Sequence, residues 1–489
     1  RFSSLGETWE NLKRRMSSLE DKNGDTSGDT SGETSGDTSG DASGDTSGDL
    51  SVQQSSAIST NEIKIKTEEI SNNSSSFVSN SSSNNEPWWK SSNAMSSLHR
   101  LATEDTSGRA SHYVYDMHTV RQRCSQLTDA LVTPKDDTSP SCLMGGLLYA
   151  MKANHHPELL RVISSHNSET MPFGLECVSI EEVRVARQVL GSKGTIQFTP
   201  NFCPVSEYAE AFRAGATVVV DNVDILRLYP EIFQGKSVGL RIDPHAHAVE
   251  ENLKHGHHSH VRTSGGKQKF GLPIAEATAV TIEAQDVLNV TITGIHVHVG
   301  SGVMDPTVWL ETAQKICTLI LNTKQDARTD VFQNIEWIDI GGGLGIGMDL
   351  IALRDTLLPI SKLLVNLKKS PVAMRMEPGR FVVADAGVLI TQVTQIRKKA
   401  GRVFVGVATG MNSLIRPALY QAKHAIHNLS KLLEDTEGED MLCDVVGPIC
   451  ESADVLGHGR MLPSTTTPGD VILIEHGGAY GHCMSSNYN

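Results

Sequence analysis

The sequence predicts an α/β fold in which a (β/α)8 barrel follows a disordered region and precedes a separate β domain. Three observations support this prediction. Short apolar runs alternate with helical patterns eight times between residues 112 and 380, and strand-rich sequence with few helical patterns fills residues 381–489. Residues 1–100, in contrast, are rich in Ser and Asn and contain a short acidic repeat.

Residues 1–100 have the composition of a linker. From Asp25 to Gly48 the unit Asp-Thr-Ser-Gly occurs six times, with two variant copies, and such a tract cannot bury enough apolar area to fold. Its seven carboxylates up to Asp49 supply half of the formal net charge of −14. Because two indoles are costly to leave in water, the later segment Pro87-Trp88-Trp89-Lys90 is expected to dock on the folded body.

The barrel prediction depends on a regular series of strands and helices. A strand at residues 112–116, expected to join the β domain, and a helix from Met117 to about Leu131 come first. Eight strand–helix units over roughly 230 residues then fit a closed right-handed barrel better than an open doubly wound sheet. The predicted barrel strands lie near 147–151, 172–178, 195–199, 216–220, 237–242, 293–299, 335–340 and 372–377.

The pattern changes after Arg380. Strands are predicted at 381–396, 403–407, 443–446 and 469–475, with one helix at 417–433, and this arrangement indicates a β domain. The chain stops at Asn489 soon after the last predicted strand, so the domain is expected to be truncated.

Lys152 ends the first barrel strand, in the stretch Tyr149-Ala150-Met151-Lys152-Ala153-Asn154. A lysine at the end of an apolar strand needs water, an anionic partner or a covalent use for its amine. This stretch alone does not separate a functional lysine from one at the solvent-exposed rim. In such barrels, however, chemistry lies at the carboxyl ends of the strands.

Two later strand ends suit a flat ring and a phosphate. The stretch His296-Val297-His298-Val299-Gly300-Ser301 places both histidines on one face of a strand, where a ring could stack on a ligand and the hydroxyl could bind an anion. Satisfied core histidines are the alternative. Gly341-Gly342-Gly343 would let backbone N–H groups approach a phosphate, although a flexible turn would use the same residues. The dinucleotide fingerprint is missing, so NAD is not inferred.

The last barrel strand ends in Glu377-Pro378-Gly379-Arg380. A surface ion pair is the default explanation for neighbouring Glu and Arg residues. Glu377 follows an apolar strand, however, where an unpaired carboxylate would be costly unless it faced a cation.

The β domain adds a second set of candidates. Cys450 and Glu451 lie together in a turn-rich stretch, and Cys450 could be an acid or a nucleophile only if it meets the barrel mouth. Arg416 and Tyr420 suit a substrate carboxylate. A histidine-rich loop at 245–260 is expected to be a lid rather than a metal site, because it has no matched acidic ligands, and no metal is predicted.

Composition narrows the class of protein. An acidic balance without basic clusters argues against nucleic acid and anionic membranes as partners, and no apolar run approaches the ~18 residues of a membrane span. The eight cysteines are dispersed without a C-x-x-C pair, which indicates a reducing compartment, and we expect a cytoplasmic protein.

One ligand accounts for a strand-end lysine, a stacking histidine, a glycine cradle and a strand-end carboxylate. That ligand is pyridoxal 5′-phosphate. Lys152 would bind the cofactor covalently through its amine, and Ser301 and the glycines would hold the phosphate. Glu377 would pair with the ring nitrogen, which keeps the ring an electron sink.

The same residues resemble the motif set of the diaminopimelate decarboxylases, within the alanine-racemase-like, fold type III group of pyridoxal-phosphate enzymes. The resemblance covers residues 112–489 in order. Four further stretches resemble a subgroup in which the decarboxylase is fused behind an aspartate kinase, so a kinase is expected to precede Arg1. These stretches are Pro87-Trp88-Trp89, Phe173-Gly174-Leu175-Glu176-Cys177, Phe198-Thr199-Pro200-Asn201 and Ala408-Thr409-Gly410-Met411-Asn412-Ser413.

The resemblance implies decarboxylation of meso-diaminopimelate to L-lysine in a homodimer with shared active sites. Cys450 would then act as the proton donor of a neighbouring subunit. The resemblance also implies that Lys152 attaches the cofactor and that His298 stacks on its ring. Contacts to the phosphate and adjoining substrate groups are implied for Ser301, Gly343, Arg380 and Tyr480. Binding of the substrate's distal end is implied for Arg416, Tyr420 and Glu451.

Two alternatives stay open from the sequence. Ornithine or arginine decarboxylases resemble this barrel but carry Cys-Asp where this chain has Cys450-Glu451, and their substrates have no distal carboxylate for Arg416. A non-catalytic regulatory homologue is the other possibility, and the intact Lys152 and Cys450 argue against it.

Overall fold

The computed structural model describes residues 86–105, 111–131, 144–166, 173–244, 268–322, 330–366, 371–435 and 438–489. The acidic repeat and the predicted histidine-rich lid lie outside these ranges. The strands are β1 (Ser111–Tyr115), β2 (Gly146–Ala150), β3 (Phe173–Cys177), β4 (Ile196–Phe198), β5 (Thr217–Val220), β6 (Ser237–Asp243), β7 (Leu272–Pro273), β8 (Thr291–His296), β9 (Trp337–Gly342), β10 (Ala373–Glu377), β11 (Gly387–Lys399), β12 (Arg402–Val407), β13 (Ile426–Asn428), β14 (Asp440–Val446), β15 (Val455–Pro463) and β16 (Val471–Ile474).

Helices surround the strands and connect them. The α-helices are α1 (Ser92–Thr103), α2 (Met117–Leu131), α3 (Pro157–Ser164), α4 (Ile180–Leu190), α5 (Val205–Arg213), α6 (Asp224–Leu228), α7 (Pro230–Phe233), α8 (Ala277–Asp286), α9 (Thr307–Asn322), α10 (Leu350–Asn366), α11 (Arg380–Val383), α12 (Arg416–Tyr420) and α13 (Leu429–Glu434). In the part of the chain that the structure describes, none of the helices has both the length and the hydropathy needed to cross a membrane.

Eight parallel strands close into a barrel, which confirms the predicted fold class. The order around the barrel is β2-β3-β4-β5-β6-β8-β9-β10, and the pairing of β10 with β2 closes it. Neighbouring helices pack against each other on the outside, including α2 with α3, α3 with α4 and α9 with α10. This architecture gathers the carboxyl ends of all eight strands at one mouth.

A tryptophan fills the opposite end of the barrel, and two glycines make room for it. Trp337 begins β9 and is buried. A Cβ atom at Gly294 would lie 2.1 Å from its ring, and one at Gly239 would lie 2.5 Å away. Glycine within these two apolar strands therefore marks close packing rather than a turn.

The second sheet contains seven strands. Its order is β13-β16-β11-β12-β14-β15, and β1 pairs antiparallel with β11, with Ser111 opposite Thr391 and Tyr115 opposite Gly387. All pairings in this sheet are antiparallel except that of β12 with β14. The strand that precedes the barrel in sequence thus belongs to the sheet that follows it.

Two sequence predictions for this sheet are wrong in detail. The predicted strand at 381–396 begins only at Gly387, because Arg380–Val383 forms α11 directly after the barrel. The predicted helix at 417–433 is broken: α12 ends where Gln421 adopts a left-handed conformation, and β13 pairs with β16 before α13 begins. Pairing with an existing sheet overrides the helical pattern there.

The described end of the predicted linker, residues 86–100, also differs from the prediction. Trp88–Lys90 forms a 3-10 turn and α1 follows, with the Ser91 hydroxyl accepting from the Ala94 N–H at 3.3 Å. Trp89, Leu98 and Ala102 are buried against β11, α13 and β16. The few apolar residues of α1 lie in Ser- and Asn-rich sequence, so the sequence pattern did not predict a helix there. Burial of those residues against the second sheet stabilises α1.

Candidate active site

Lys152 lies at the barrel mouth, in a 3-10 turn directly after β2. All five residues of β2 are buried, and the Lys152 Nζ donates to Glu176 Oε2 at 2.7 Å. Burial lowers the pKa of Lys152, but the carboxylates of Glu176 and Glu377 outweigh it, so the pKa lies above its usual value. Because the side chain is 31% exposed, a ligand can reach the amine from the mouth.

Glu176 is the anion that holds this amine. It stands near the end of β3 with no exposed surface, and its Oε1 accepts a hydrogen bond from the hydroxyl of Thr199. Sequence reasoning gave Glu176 no role, although a carboxylate within the apolar stretch Phe173–Cys177 was a usable signal. Both carboxylate oxygens are thus engaged within the barrel.

Glu377 lies at the end of β10 within a buried polar network. Its Oε1 accepts from Gln197 Nε2 at 3.0 Å and faces His296 Nε2 at 3.1 Å. The Gln197 Nε2 also donates to Asp339 Oδ2, at 2.7 Å. Sequence reasoning assigned no role to Gln197 or Asp339, because only the closed barrel brings β4, β9 and β10 together.

Burial controls the ionisation of this network. Desolvation and the nearby Glu176 raise the pKa of Glu377 to about 8, and desolvation with the nearby Glu377 raises that of Asp339 to about 7. Desolvation lowers the pKa of His296 to about 4, so its ring is neutral. The ligand atoms of His296, Asp339 and Glu377 lie within 4.8 Å of one another. The Gln197 NH2 group donates to two of these atoms, Asp339 Oδ2 and Glu377 Oε1, so its partial positive charge opposes a metal cation between them.

The three glycines at the end of β9, Gly341 to Gly343, form a tight turn in which an added Cβ atom would collide with neighbouring residues. At Gly342 it would lie 1.9 Å from the Glu377 carbonyl oxygen, and at Gly343, where φ is +92°, 2.2 Å from that of Gly300. The Gly341 N–H donates to Asp339 Oδ1 at 2.8 Å, and the Gly342 N–H donates to His298 Nδ1 at 3.1 Å. The N–H groups of Gly341 and Gly342 thus orient two protein side chains, and Gly343 lies beside Ser301. The phosphate contacts of the three glycines stay a prediction.

His298 is oriented by this loop. Its Nδ1 accepts the Gly342 N–H, so the proton of the neutral ring is on Nε2. Desolvation and the positive charge of Lys152 hold the pKa of His298 well below its usual value. A neutral imidazole of fixed orientation is thus available for ring stacking.

Two arginines meet at the ring of Tyr480. The Arg380 guanidinium carbon lies 4.8 Å from the ring centroid and that of Arg416 lies 5.9 Å away. Arg380 Nη2 donates to the Ser301 hydroxyl at 3.1 Å. Among the described residues, the buried Nε atoms of both arginines have no hydrogen-bond partner. Two half-buried arginines, each with a buried Nε donor to spare, suit an anion.

Tyr420 lies on α12, near both arginines. It follows Arg416 by four positions, about one helical turn, so the predicted pair Arg416 and Tyr420 lies on one side of the same short helix.

The end of the chain places Tyr480 beside Lys152. The Tyr480 N–H donates to the Ala153 carbonyl at 2.8 Å, and Asn154 Nδ2 donates to the Gly478 carbonyl at 3.0 Å. Tyr480 adopts a φ of 56°, which turns the chain at this point. The turn after Lys152 and the segment after β16 thus form one side of the mouth.

Cys450 and Glu451 do not join this cluster. Both are exposed on the β domain, and Glu451 Oε1 accepts a hydrogen bond from the Tyr488 hydroxyl at 2.6 Å. Asp454 fixes their loop, as its carboxylate accepts the N–H groups of Met411 at 2.6 Å and Ile449 at 2.7 Å. The two residues are therefore presented outward on a rigid turn.

Comparison with known proteins agrees with this arrangement. The family described as pyridoxal-dependent decarboxylase, pyridoxal binding domain, matches residues 120–384. The chain is 34% identical to the diaminopimelate decarboxylase of Archaeoglobus fulgidus over 354 residues, which is 70% of this chain and 79% of that protein. It is 30% identical to that of Campylobacter jejuni over 381 residues, 77% of this chain and 87% of that protein.

A solved structure gives a third comparison. The crystal structure of diaminopimelate decarboxylase from Helicobacter pylori complexed with L-lysine superposes with a TM-score of 0.64 at 28% identity, covering 77% of this chain and 88% of that one. Fold, site and sequence together define a pyridoxal-phosphate-dependent decarboxylase of fold type III. Within that class, the chain belongs to the diaminopimelate decarboxylase family. The kinase fusion and the cytoplasmic location stay predictions.

Proposed function

We propose that this chain converts meso-2,6-diaminopimelate to L-lysine and CO2 with pyridoxal 5′-phosphate bound at the barrel mouth. The observation that carries the proposal is the reachable Lys152 amine, bonded to Glu176 at 2.7 Å beside the buried carboxylate of Glu377. The names of the relatives from Archaeoglobus, Campylobacter and Helicobacter support the choice of substrate.

The residues present fit this cofactor. A reactive amine (Lys152), a buried carboxylate (Glu377) and a flat imidazole (His298) match its aldehyde, its ring nitrogen and its ring. The Ser301 hydroxyl, the close approach of Gly343 and the unpartnered Nε of Arg380 match a phosphate. Gly379, which we also expect to contact the cofactor, lies close to β2, because a Cβ there would lie 3.0 Å from that of Ala150.

When bound, the cofactor supplies an electron sink for the bond that joins Cα to the departing carboxylate. The chain's own residues prepare that step. In its anionic form Glu377 would present negative charge toward the ring nitrogen, and His296 and Gln197 fix its Oε1. Glu176 holds a proton of the Lys152 amine and can accept it when Lys152 reacts as the neutral base.

The substrate has two amino acid ends, and the site offers a separate partner for each group. Arg416 and Tyr420 suit the distal carboxylate, and Arg380 and Tyr480 lie between it and the phosphate residues. Glu451 suits the distal ammonium group. CO2 leaves from the end near Lys152, and the electron pair that remains on Cα takes a proton from Cys450 or Lys152.

The exposure of Cys450 and Glu451 supports a homodimer with shared active sites. Both residues point outward on a turn fixed by Asp454, so they can complete the barrel mouth of a second copy.

Release of CO2 from meso-diaminopimelate, ornithine and arginine tests the proposal. We expect turnover of meso-diaminopimelate with one L-lysine formed per CO2, and turnover at least about a hundredfold slower with the other two, because neither carries the distal carboxylate that Arg416 would bind. Faster CO2 release from ornithine or arginine would assign the chain to the other decarboxylase class.

A further inference from the structure

Gln197 is buried in the centre of the barrel and joins three other strands. Its Nε2 donates to Asp339 Oδ2 on β9 at 2.7 Å and to Glu377 Oε1 on β10 at 3.0 Å. Its Oε1 accepts from Arg375 Nη1 at 3.3 Å, which fixes the direction of the amide. One NH2 group thus holds two buried carboxylates beneath the mouth.

The surroundings decide how this pair ionises. Glu377 faces Glu176 on β3, Lys152 after β2 and Arg241 on β6. Asp339 faces Arg375 on β10, and His296 on β8 faces both carboxylates. His296 is neutral, so the cations are Lys152, Arg241 and Arg375, and the first of these is already bonded to Glu176. Two buried carboxylates so close together titrate as a pair, and each makes the ionisation of the other harder.

We propose that Gln197 and Asp339 are positioning residues for Glu377: the amide fixes its Oε1 and screens the two carboxylates from each other, and the charge of Asp339 sets when Glu377 becomes an anion. This inference deepens the proposed function and rests on it, because it assumes that Glu377 faces the ring nitrogen of the cofactor. Gln197 and Asp339 act through Glu377 and need no contact with the cofactor.

The two residues act in opposite directions, which makes the proposal testable. Gln197→Met removes the shared donor, so Glu377 becomes harder to ionise. Asp339→Asn removes the neighbouring negative charge and keeps an acceptor for the Gly341 N–H, so Glu377 becomes easier to ionise. The required form of Glu377 is the anion, which exists above its pKa. A property that requires the Glu377 anion is lost as the pH falls through the pKa of Glu377. The midpoint of that loss should therefore move to higher pH in Gln197→Met and to lower pH in Asp339→Asn.

The experiment measures the visible absorbance of the bound cofactor from pH 5 to 9, without amino acid substrate, and cofactor affinity by titration of the apo protein. We expect Gln197→Met to raise the midpoint of the pH transition by about one unit and to weaken cofactor binding at neutral pH about tenfold. Asp339→Asn should lower the midpoint. Gln392→Met is the matched control, because this half-buried glutamine on β11 donates one hydrogen bond to the Ala102 carbonyl, far from the mouth.

Wild-type midpoint and affinity in Gln197→Met, or midpoints that move in the same direction in both variants, would overturn the proposal. So would an equal change in Gln392→Met. If Gln197→Met does not fold, as judged by circular dichroism, the direction of the Asp339→Asn shift decides alone. The absorbance titration contains no amino acid substrate, so its result does not depend on which substrate the enzyme uses. A wild-type protein that binds the cofactor but releases no CO2 from meso-diaminopimelate would contradict the proposed function and would leave this test valid.

Discussion

At the scale of single residues, the site depends on charges that are buried and paired. Lys152 stays charged although burial opposes it, because Glu176 lies 2.7 Å from its amine with no exposed surface of its own. Removing one partner of such a pair leaves an uncompensated charge. Glu176 therefore controls the protonation of the residue on which the proposed chemistry depends.

We expect Glu176→Gln to lower the pKa of Lys152, because the largest anionic contribution is lost. Only the neutral amine can bond to the cofactor's aldehyde, and the neutral form exists above the pKa. The pH of half-maximal cofactor uptake by the apo protein should therefore fall, by at least about one unit. Stopped-flow absorbance measures it, with Glu210→Gln on α5 as the control, because Glu210 is a half-buried carboxylate that pairs with Arg184 on the outside of the barrel. An unchanged or higher midpoint in Glu176→Gln would contradict the role of Glu176.

Site residues that directly follow an apolar strand could be predicted from the sequence. Lys152, His298 and Glu377 were identified because a charged or polar side chain follows a strand, and the parallel order of strands gathers such ends. Glu176, Gln197 and Asp339 received no role, since each looks like a single polar exception within an apolar strand. Gln197 lies 142 positions from Asp339 and 180 from Glu377, so only closure of the barrel brings these three together. Glu176 lies 24 positions from Lys152, and pairing of the neighbouring strands β2 and β3 brings those two together.

At the scale of elements, the N-terminal turn and α1 stabilise the β domain. Trp89 is 2% exposed and packs with β11, α13 and β16, and its ring centroid lies 5.0 Å from that of His427. Trp88 is only half-buried and donates through Nε1 to the Asp385 carbonyl at 3.0 Å. The expected docking of this segment thus involves one buried indole and one at the edge.

Trp89→Ala should lower the free energy of unfolding by about 3–5 kcal/mol, as a large buried side chain leaves a cavity. Lys90→Ala, at the exposed neighbouring position, should change it by no more than about 0.5 kcal/mol. Urea unfolding followed by circular dichroism measures both. Equal, small effects of the two substitutions would mean that the segment does not contribute to stability.

Elements of the barrel were easier to predict than those of the β domain. The helical period gave α4 its bounds, because that helix has one apolar face, and the short apolar runs gave most barrel strands to within two residues, because those strands are buried on both faces. The region from α12 to α13 failed, since its helical pattern is interrupted by Gln421 and its short strand exists only through pairing with β16. The sequence of β13 alone does not show that pairing, because β16 lies more than 40 residues later in the chain.

At the scale of the whole molecule, two sheets share one site. The second sheet contributes Tyr480 through the bond from its N–H to the Ala153 carbonyl, and Asn154 returns a bond to Gly478. Cys450 and Glu451, in the loop between β14 and β15 of that sheet, are exposed instead. A complete site under the proposed function therefore contains parts of two chains.

Coexpression of Lys152→Ala with Cys450→Ala chains tests this sharing. Each variant alone should have little activity, but half of the randomly formed dimers would contain one site with both residues, so about a quarter of wild-type activity should return. Lys152→Ala coexpressed with the double variant Lys152→Ala/Cys450→Ala cannot form a complete site and is the control. No recovery above this control would assign Cys450 to its own barrel or remove it from the mechanism.

The central claim is that Lys152 carries the cofactor and that the same site decarboxylates meso-diaminopimelate. One preparation of Lys152→Ala, compared with wild type for visible cofactor absorbance and for L-lysine formed from meso-diaminopimelate, tests it most directly. We expect both signals to disappear together, with turnover reduced at least about a thousandfold. A yellow Lys152→Ala protein that still produces L-lysine would contradict the account.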